Sequence, residues 1–238
     1  MIDAALERSA NAWRKSAMGR WWRYDCRLVI WRAERPAEPA DPVDSDLVGR
    51  NRREHLERFV AAERRIDRDA FLRTCEQRLA AGERVYTICP GEALLAYAWM
   101  VPNQEQSWLS AVKTELRYPP RSCVMYNAYT VRHARGRGYN TLLTRARVAD
   151  AFLRFGAHGV FTAVEAGSEF AERAKLATGF RPWMEFTLRT RLGRSTRTER
   201  RLCIERDRHE PLFRGAAAAF RPGSVATGAS TGPNPPGT

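Results

Sequence analysis

Between Cys123 and Trp183 the residues alternate in an order that leaves few folds open. An apolar, β-branched and aromatic run, VMYNAYTV, reads as a strand ending near Val131. It is followed by Arg135-Gly136-Arg137-Gly138-Tyr139-Asn140 and then by a helical stripe of Leu142, Ala146, Ala149 and Leu153. Gly156 and Gly159 end that helix, and Gly159 to Val164 is a second short apolar strand. A strand that returns beside its predecessor through a helix is parallel to it. Gly167-Ser168 then opens a short helix with Phe170, Ala174 and Ala177 on its buried side, Ser168 being a good N-cap. Gly179-Phe180 closes it, and a strand pair follows at about 183–190 and 200–206.

Two glycines between arginines, where a strand becomes a helix, suit a turn whose amides face an anion. Glycine reaches φ > 0 and lets a ligand approach the backbone, and the first helical turn adds unpaired N–H groups and the positive end of the dipole. Arg135 and Arg137 can add charge-assisted bonds to phosphate oxygens. A plain surface turn would use the same residues. The dinucleotide pattern G-x-G-x-x-G is excluded because its third glycine is missing, and a Walker loop because no Gly-Lys-Ser/Thr follows.

The order strand, basic glycine turn, helix, strand, short helix, Gly-Phe, strand resembles the GNAT superfamily of acyl-CoA-dependent N-acyltransferases. That family's acyl-CoA signature, Arg/Gln-x-x-Gly-x-Gly/Ala, is matched by Arg135 to Asn140, with Leu142-Leu143 behind it, and its closing Gly-Phe by Gly179-Phe180. The resemblance implies an α+β fold, a GNAT-like mixed central sheet flanked by helices on both faces with a V-shaped strand splay. It implies acetyl-CoA or another acyl-CoA as co-substrate, no metal, and direct attack of an unidentified amine on the thioester. The cofactor set it implies is Tyr129, Thr130 and Val131 along the pantetheine arm, with Arg135, Gly136, Arg137, Gly138, Tyr139, Asn140 and Thr141 around the diphosphate. Two positions depart from the family pattern. Asn140 stands where Gly or Ala is preferred but still offers its backbone N–H. Lys175 stands where a tyrosine often protonates the leaving thiolate; lysine can donate a proton there, or be a surface residue near a helix end.

The reaction also needs a base near the splay. Glu165, just past its strand, is the first candidate, with an exposed capping carboxylate as the other reading. Tyr126 can face the substrate or fill the core, and His133 beside the glycine turn can touch phosphate or lie on the surface.

Elsewhere, residues 2–17 have helical spacing and basic residues, suiting a helix packed on the domain rather than one on a membrane surface. Residues 36–46, PAEPADPVDSD, read as a linker, and helical stretches are expected at about 46–62 and 67–81, the second ended by Gly82. Tyr86–Cys89, Pro90-Gly91 and Ala93–Val101 read as a hairpin. The expected organisation is an amphipathic helix at 1–20, an acyltransferase domain at 21–212 and a disordered low-complexity tail at 213–238.

A hydrophobic fraction of 44% excludes wholesale disorder, and the longest apolar runs fall far short of the roughly 20 residues that span a bilayer. No secretory leader pattern opens the chain, so a cytoplasmic protein is expected. Cys26, Cys75, Cys89, Cys123 and Cys203 are odd in number with no C-x-x-C pair, and read as reduced core thiols. The net charge of +13 invites a polyanionic partner, but lysine occurs only at Lys15, Lys113 and Lys175. So lopsided an arginine excess points to GC-rich codon usage rather than a dedicated nucleic-acid role. The arginines of Arg191–Arg201 read as a basic loop that either draws an acidic acceptor or is a solvated hairpin tip. Three hypotheses stand: an N-acyltransferase, an acyl-CoA-binding module without turnover, and a basic nucleic-acid binder.

Overall fold

The computed structural model describes residues 23–35, 46–61, 67–167 and 169–202. The expected helix at 1–20, almost all of the linker, the Ser168 cap, Cys203 and the tail lie outside these residues.

Among the described residues ten strands and four α-helices follow one another: β1 Arg23–Glu34, β2 Val48–Arg50, α1 Arg53–Leu56, α2 Arg68–Ala80, β3 Arg84–Ile88, β4 Ala96–Val101, β5 Gln106–Leu109, β6 Thr114–Arg117, β7 Ser122–Thr130, α3 Tyr139–Leu153, β8 Gly159–Glu165, α4 Glu169–Leu176, β9 Arg181–Arg191 and β10 Arg194–Arg201. Eight strands form one sheet in the order β10-β9-β1-β8-β7-β4-β3-β2, and β5 pairs with β6 apart from it. Within that sheet only β7 and β8 are parallel, as the helical crossover between them requires. The α+β class and the mixed sheet expected from the sequence are therefore present.

Side chains alternate across each strand, so each face collects its own core. Val29, Trp31, Ala98, Met100, Cys123, Met125 and Val160 meet α3 on one face. On the other, Leu56, Phe59, Phe71 and Cys75 from the α1–α2 region cover Val85, Tyr97 and Trp99. There the β5–β6 hairpin brings Leu109 and Leu116 onto Leu28, Ile30, Phe161 and Phe186. Cys26, Cys75 and Cys123 are buried free thiols and Cys89 is half-buried.

The parallel pairing of β7 with β8 stops at Met125 opposite Thr162, although β7 runs on to Thr130 and β8 to Glu165. Beyond that point the strands diverge, which is the expected V. At the same place β7 bulges. Trp99 pairs with Tyr126 but Tyr97 with Tyr129, so β7 holds one residue more than β4, and Asn127 takes φ +47°.

Several expectations are corrected. The stretch 46–62 is not one helix: Val48–Arg50 joins the sheet edge and the helix is only Arg53–Leu56. Asn51, at φ +54°, turns the chain, its amide donating to Val85 O at 2.8 Å while its side-chain oxygen accepts from Val85 N–H at 3.0 Å. The buried face of α3 also differs. Leu153 is 51% exposed, whereas Arg147 and Asp150 are buried, because each of these charged groups is hydrogen-bonded inside. Asp150 accepts from Tyr86 Oη at 2.9 Å and Arg50 Nε at 3.0 Å and pairs with Arg154 at 3.4 Å. Arg191–Arg201 is not a loop either. Leu192 and Gly193, both at positive φ, make a two-residue turn that leaves Arg194–Arg201 as a full edge strand. The described helices include none long and apolar enough to cross a membrane.

Tyr86 is 2% exposed, and Tyr86→Phe removes a donor from a buried carboxylate without changing packing volume. Unfolding in urea should show a loss of about 1.5–3 kcal/mol. A loss within about 0.5 kcal/mol, the range of an ordinary surface change, would mean that Arg50 and Arg154 alone hold Asp150.

Candidate active site at the strand splay

The C-terminal arm of β7 runs through Val131 and a 3-10 turn, Arg132–Ala134, into the glycine turn. Gly136 and Gly138 take φ +76° and +77°, in the left-handed region, and Gly138 is the N-cap of α3. A side chain at either position would be strained, which explains the two glycines physically. The bond from Leu142 N–H to Gly138 O opens the helix, so the amides from Gly136 to Thr141 have no backbone acceptor among the described residues. Arg135 Nε donates to Thr130 O at 3.2 Å and ties the turn back to the strand.

These groups line a cavity of about 630 Å³. Its walls are Ala128, Tyr129, Thr130, Ala134, the whole run Arg135–Thr141, and Ala174 of α4. Every residue expected in the cofactor set lies there except Val131, whose N–H donates to Leu95 O at 2.9 Å. His133 does not line the cavity. The wall is largely apolar side chain and backbone, with cationic side chains only at the turn. That lining suits a long ligand with one anionic end.

The Gly-Phe signature has a plain structural cause. Gly179 N–H bonds Leu176 O at 3.1 Å and Phe180 N–H bonds Lys175 O at 3.0 Å, with Gly179 at φ +82°. This is a Schellman cap, whose hydrophobic contact is made by Phe180 with the lysine stem. Lys175 Nζ stands 5.4 Å from the Phe180 ring centroid. Lys175 is therefore half-buried, and the surface reading does not hold. Desolvation, with the Arg147 charge adding to it, pushes its amine down to about 7.

Tyr126 is the first β7 residue beyond the last β7–β8 pair, at the vertex of the V. Its hydroxyl donates to the Glu83 carboxylate. Burial, followed by that bond, raises the phenol well above its ordinary pKa, so it stays protonated. Arg78 lies 5.1 Å from the Tyr126 ring centroid and 5.2 Å from that of Trp99. Glu83 went unnoticed in the sequence. Its signal was Gly82, because the Schellman cap of α2, with Glu83 N–H on Arg78 O at 3.0 Å, sets Glu83 beside Arg78.

Glu165 ends β8 and is exposed. It shares a face with Phe161, as Tyr126 does with Val124, so the two occupy opposite arms of the splay on the face away from α3. Among the described residues no hydrogen bond or ion pair joins Glu165, Tyr126 and Lys175 to one another. Burial pushes the nearby Cys26 thiol up, and the Glu165 charge adds to that. The described residues hold no group of His, Cys, Asp and Glu suited to a metal ion.

Deeper in the core, the guanidinium of Arg147 is fully buried. It donates to Trp99 O at 3.1 Å, Leu143 O at 3.2 Å and Thr144 Oγ1 at 3.2 Å, and burial pushes it down to about 10. Trp99 is the β4 residue at which the register shifts.

No family model matches the sequence, and no curated protein matches it. Among solved structures the chain is similar to a GNAT-family protein of Novosphingobium aromaticivorans, at 17% identity and a TM-score of 0.46 over 69% of this chain and 63% of that one. A GNAT-family acetyltransferase of Colwellia psychrerythraea aligns at 11% identity and 0.47, over 70% of this chain and 56% of that one. A GCN5-related N-acetyltransferase of Sphaerobacter thermophilus aligns at 14% and 0.44, over 79% and 56%. The chain thus spans 56–63% of the length of these three proteins.

The depressed Lys175 amine has a signed consequence for stability. Its folded pKa, about 7, lies below the ordinary lysine value of 10.5, so between these values the unfolded chain binds more protons and stability rises with pH. Lys175→Met, which removes the desolvated cation, should raise the thermal midpoint at pH 6 by about 2–4 °C. That gain should shrink steadily toward pH 10. A gain independent of pH would show that Lys175 titrates normally.

Proposed function

We propose that this protein is an acyl-CoA-dependent N-acyltransferase, moving an acetyl group from acetyl-CoA to an amine by direct attack. The observation that carries the reading is the cavity where a left-handed arginine–glycine turn and the first turn of α3 present unpaired amides beside a diverging strand pair.

The amides of Gly136 to Thr141 would hold the diphosphate, with Arg135 and Arg137 adding charge. The β7 arm, Ala128 to Thr130, would run along the pantetheine. The bulge takes Asn127 and Ala128 out of the β4 register, and their amides would be the donors for the thioester carbonyl. Attack by the amine nitrogen forms the C–N bond and breaks the C–S bond. Tyr126 Oη would take the proton released from nitrogen as it passes its own to Glu83, and Lys175 would protonate the departing thiolate. Glu165, on the other arm, is the second candidate base.

Thermal-shift titration with acetyl-CoA tests the cradle. Binding at about 100 times Kd stabilises a protein by about 2.7 kcal/mol, an easily read shift. Gly138→Asp should abolish that shift, since it places a carboxylate and a Cβ against the diphosphate; a retained shift would mean the turn is misassigned.

Thiol release with a panel of amines then tests chemistry. Tyr126→Phe and Glu83→Gln should each lower kcat about 10²–10⁴-fold while leaving the acetyl-CoA shift intact. If Glu165→Gln lowers kcat and those two do not, the base is Glu165. A cofactor shift with no thiol released from any amine would favour the binding-module reading.

A further inference from the structure

Three strands run on past the end of β8. That strand stops at Glu165 opposite Leu28, and Ala166 N–H then bonds Arg27 O at 2.8 Å. Farther out, Arg23–Arg27 of β1 pairs only with β9, and β9 with β10. Because β7 and β8 are parallel, this flap leaves the sheet at the end where β7 enters the cavity. At about 3.4 Å per residue its overhang is about 17 Å.

The flap has two unlike faces. One carries Tyr24, Cys26 and Leu188 and is closed by the β5–β6 hairpin, to which Tyr24 Oη donates at Ala111 O, 3.0 Å away, and Arg197 at Lys113 O, 2.8 Å away. The opposite face carries exposed Arg23, Arg27, Arg189, Arg191, Arg194 and Arg200. Acids there are few and occupied. Asp25 is held by Arg23 at 3.4 Å and Arg191 at 2.9 Å, and Glu185 by Arg27 at 3.8 Å. Arg189 and Arg194 have no acidic partner among the described residues, and they share with Arg191, Leu192 and Thr196 a cavity of about 780 Å³. The flap ends in β10, the last strand of the sheet order, whose outer edge meets no strand among the described residues.

We infer that this flap docks an extended acidic segment of a polypeptide acceptor along the outer edge of β10, with its carboxylates on Arg189 and Arg194. The identification of that polypeptide as the amine acceptor rests on the acyltransferase reading; the docking does not. Three features select this partner. Main-chain groups on an open edge give affinity to any strand, and alternate side chains give the choice. Arginine binds carboxylates through two parallel bonds. A charged edge resists pairing with neutral or basic strands, so the feature that keeps β10 from joining a second copy of itself admits an acidic one. Single-stranded nucleic acid fits less well, because Arg194–Arg201 holds no aromatic ring on which a base can stack.

Fluorescence anisotropy tests this with a labelled peptide of alternating glutamate and threonine carrying one lysine. Controls are a peptide of the same composition interrupted by prolines, a lysine–threonine peptide, and a single-stranded oligonucleotide of equal charge. The glutamate–threonine peptide should bind tightest at about 0.15 M salt, where surface charge is already screened beyond about 8 Å. The double variant Arg189→Glu, Arg194→Glu should weaken it at least about tenfold, roughly 1.4 kcal/mol, and keep the acetyl-CoA thermal shift. Equal binding of the proline-interrupted peptide, tighter binding of the oligonucleotide, or no binding at all would each overturn the inference. Docking without thiol release would fault the acyltransferase reading alone, and thiol release from small amines without docking would fault this one alone.

Discussion

A sheet cannot open between two neighbouring strands without leaving backbone groups to be satisfied some other way, and the candidate site depends on how this chain does so. The parallel pairing of β7 and β8 ends at Met125 and Thr162. There β7 bulges at Asn127, and the buried guanidinium of Arg147 reaches across from α3 to the carbonyl of Trp99. A lone buried cation is costly. Its three hydrogen bonds to Trp99, Leu143 and Thr144 offset that cost and fix α3 over the vertex of the V. The glycine turn at the head of α3 is thereby held against the β7 arm, and the cavity lies between them.

Charge is divided across the sheet in a way that fits the proposed acyl transfer. The face that carries α3 offers amides and arginines to an anion, whereas at the vertex on the opposite face a neutral phenol meets a carboxylate. Lys175, capped into α4 by the Gly179-Phe180 turn, lies within the field of Arg147, and its amine sits near neutrality for that reason as well as for its burial. The same cap chemistry at Gly82 places Glu83 beside Arg78, so two Schellman turns, one on each face, set two groups proposed to move protons.

Much of this was legible beforehand where the signal was local. Gly136, Gly138 and Gly179 take backbone angles that side chains resist, so they mark their turns in the bare sequence. Tyr86–Cys89 and Ala93–Val101 announced a hairpin because both strands are buried on both faces and read as apolar runs. The β5–β6 hairpin gave no such signal, since only Leu109, Val112 and Leu116 of it are buried, among polar neighbours. Periodicity placed Ala146 and Ala149 of α3 inside correctly but counted Leu153 in and left Arg147 and Asp150 out. Their partners, on β2, β3 and β4, are distant in sequence and invisible to a local reading.

By itself the amino-acid sequence determined the parallel crossover, the glycine turn before α3 and the cap glycines, because each follows from backbone conformations that a few neighbouring residues dictate. Tertiary structure alone decided which charged groups are buried, that Tyr126 meets Glu83, that Lys175 is desolvated, and that the arginines of 191–201 line an edge strand. These outcomes depend on register, on which strands become neighbours and on the water removed when they do. None of those quantities is a property of any short stretch of chain.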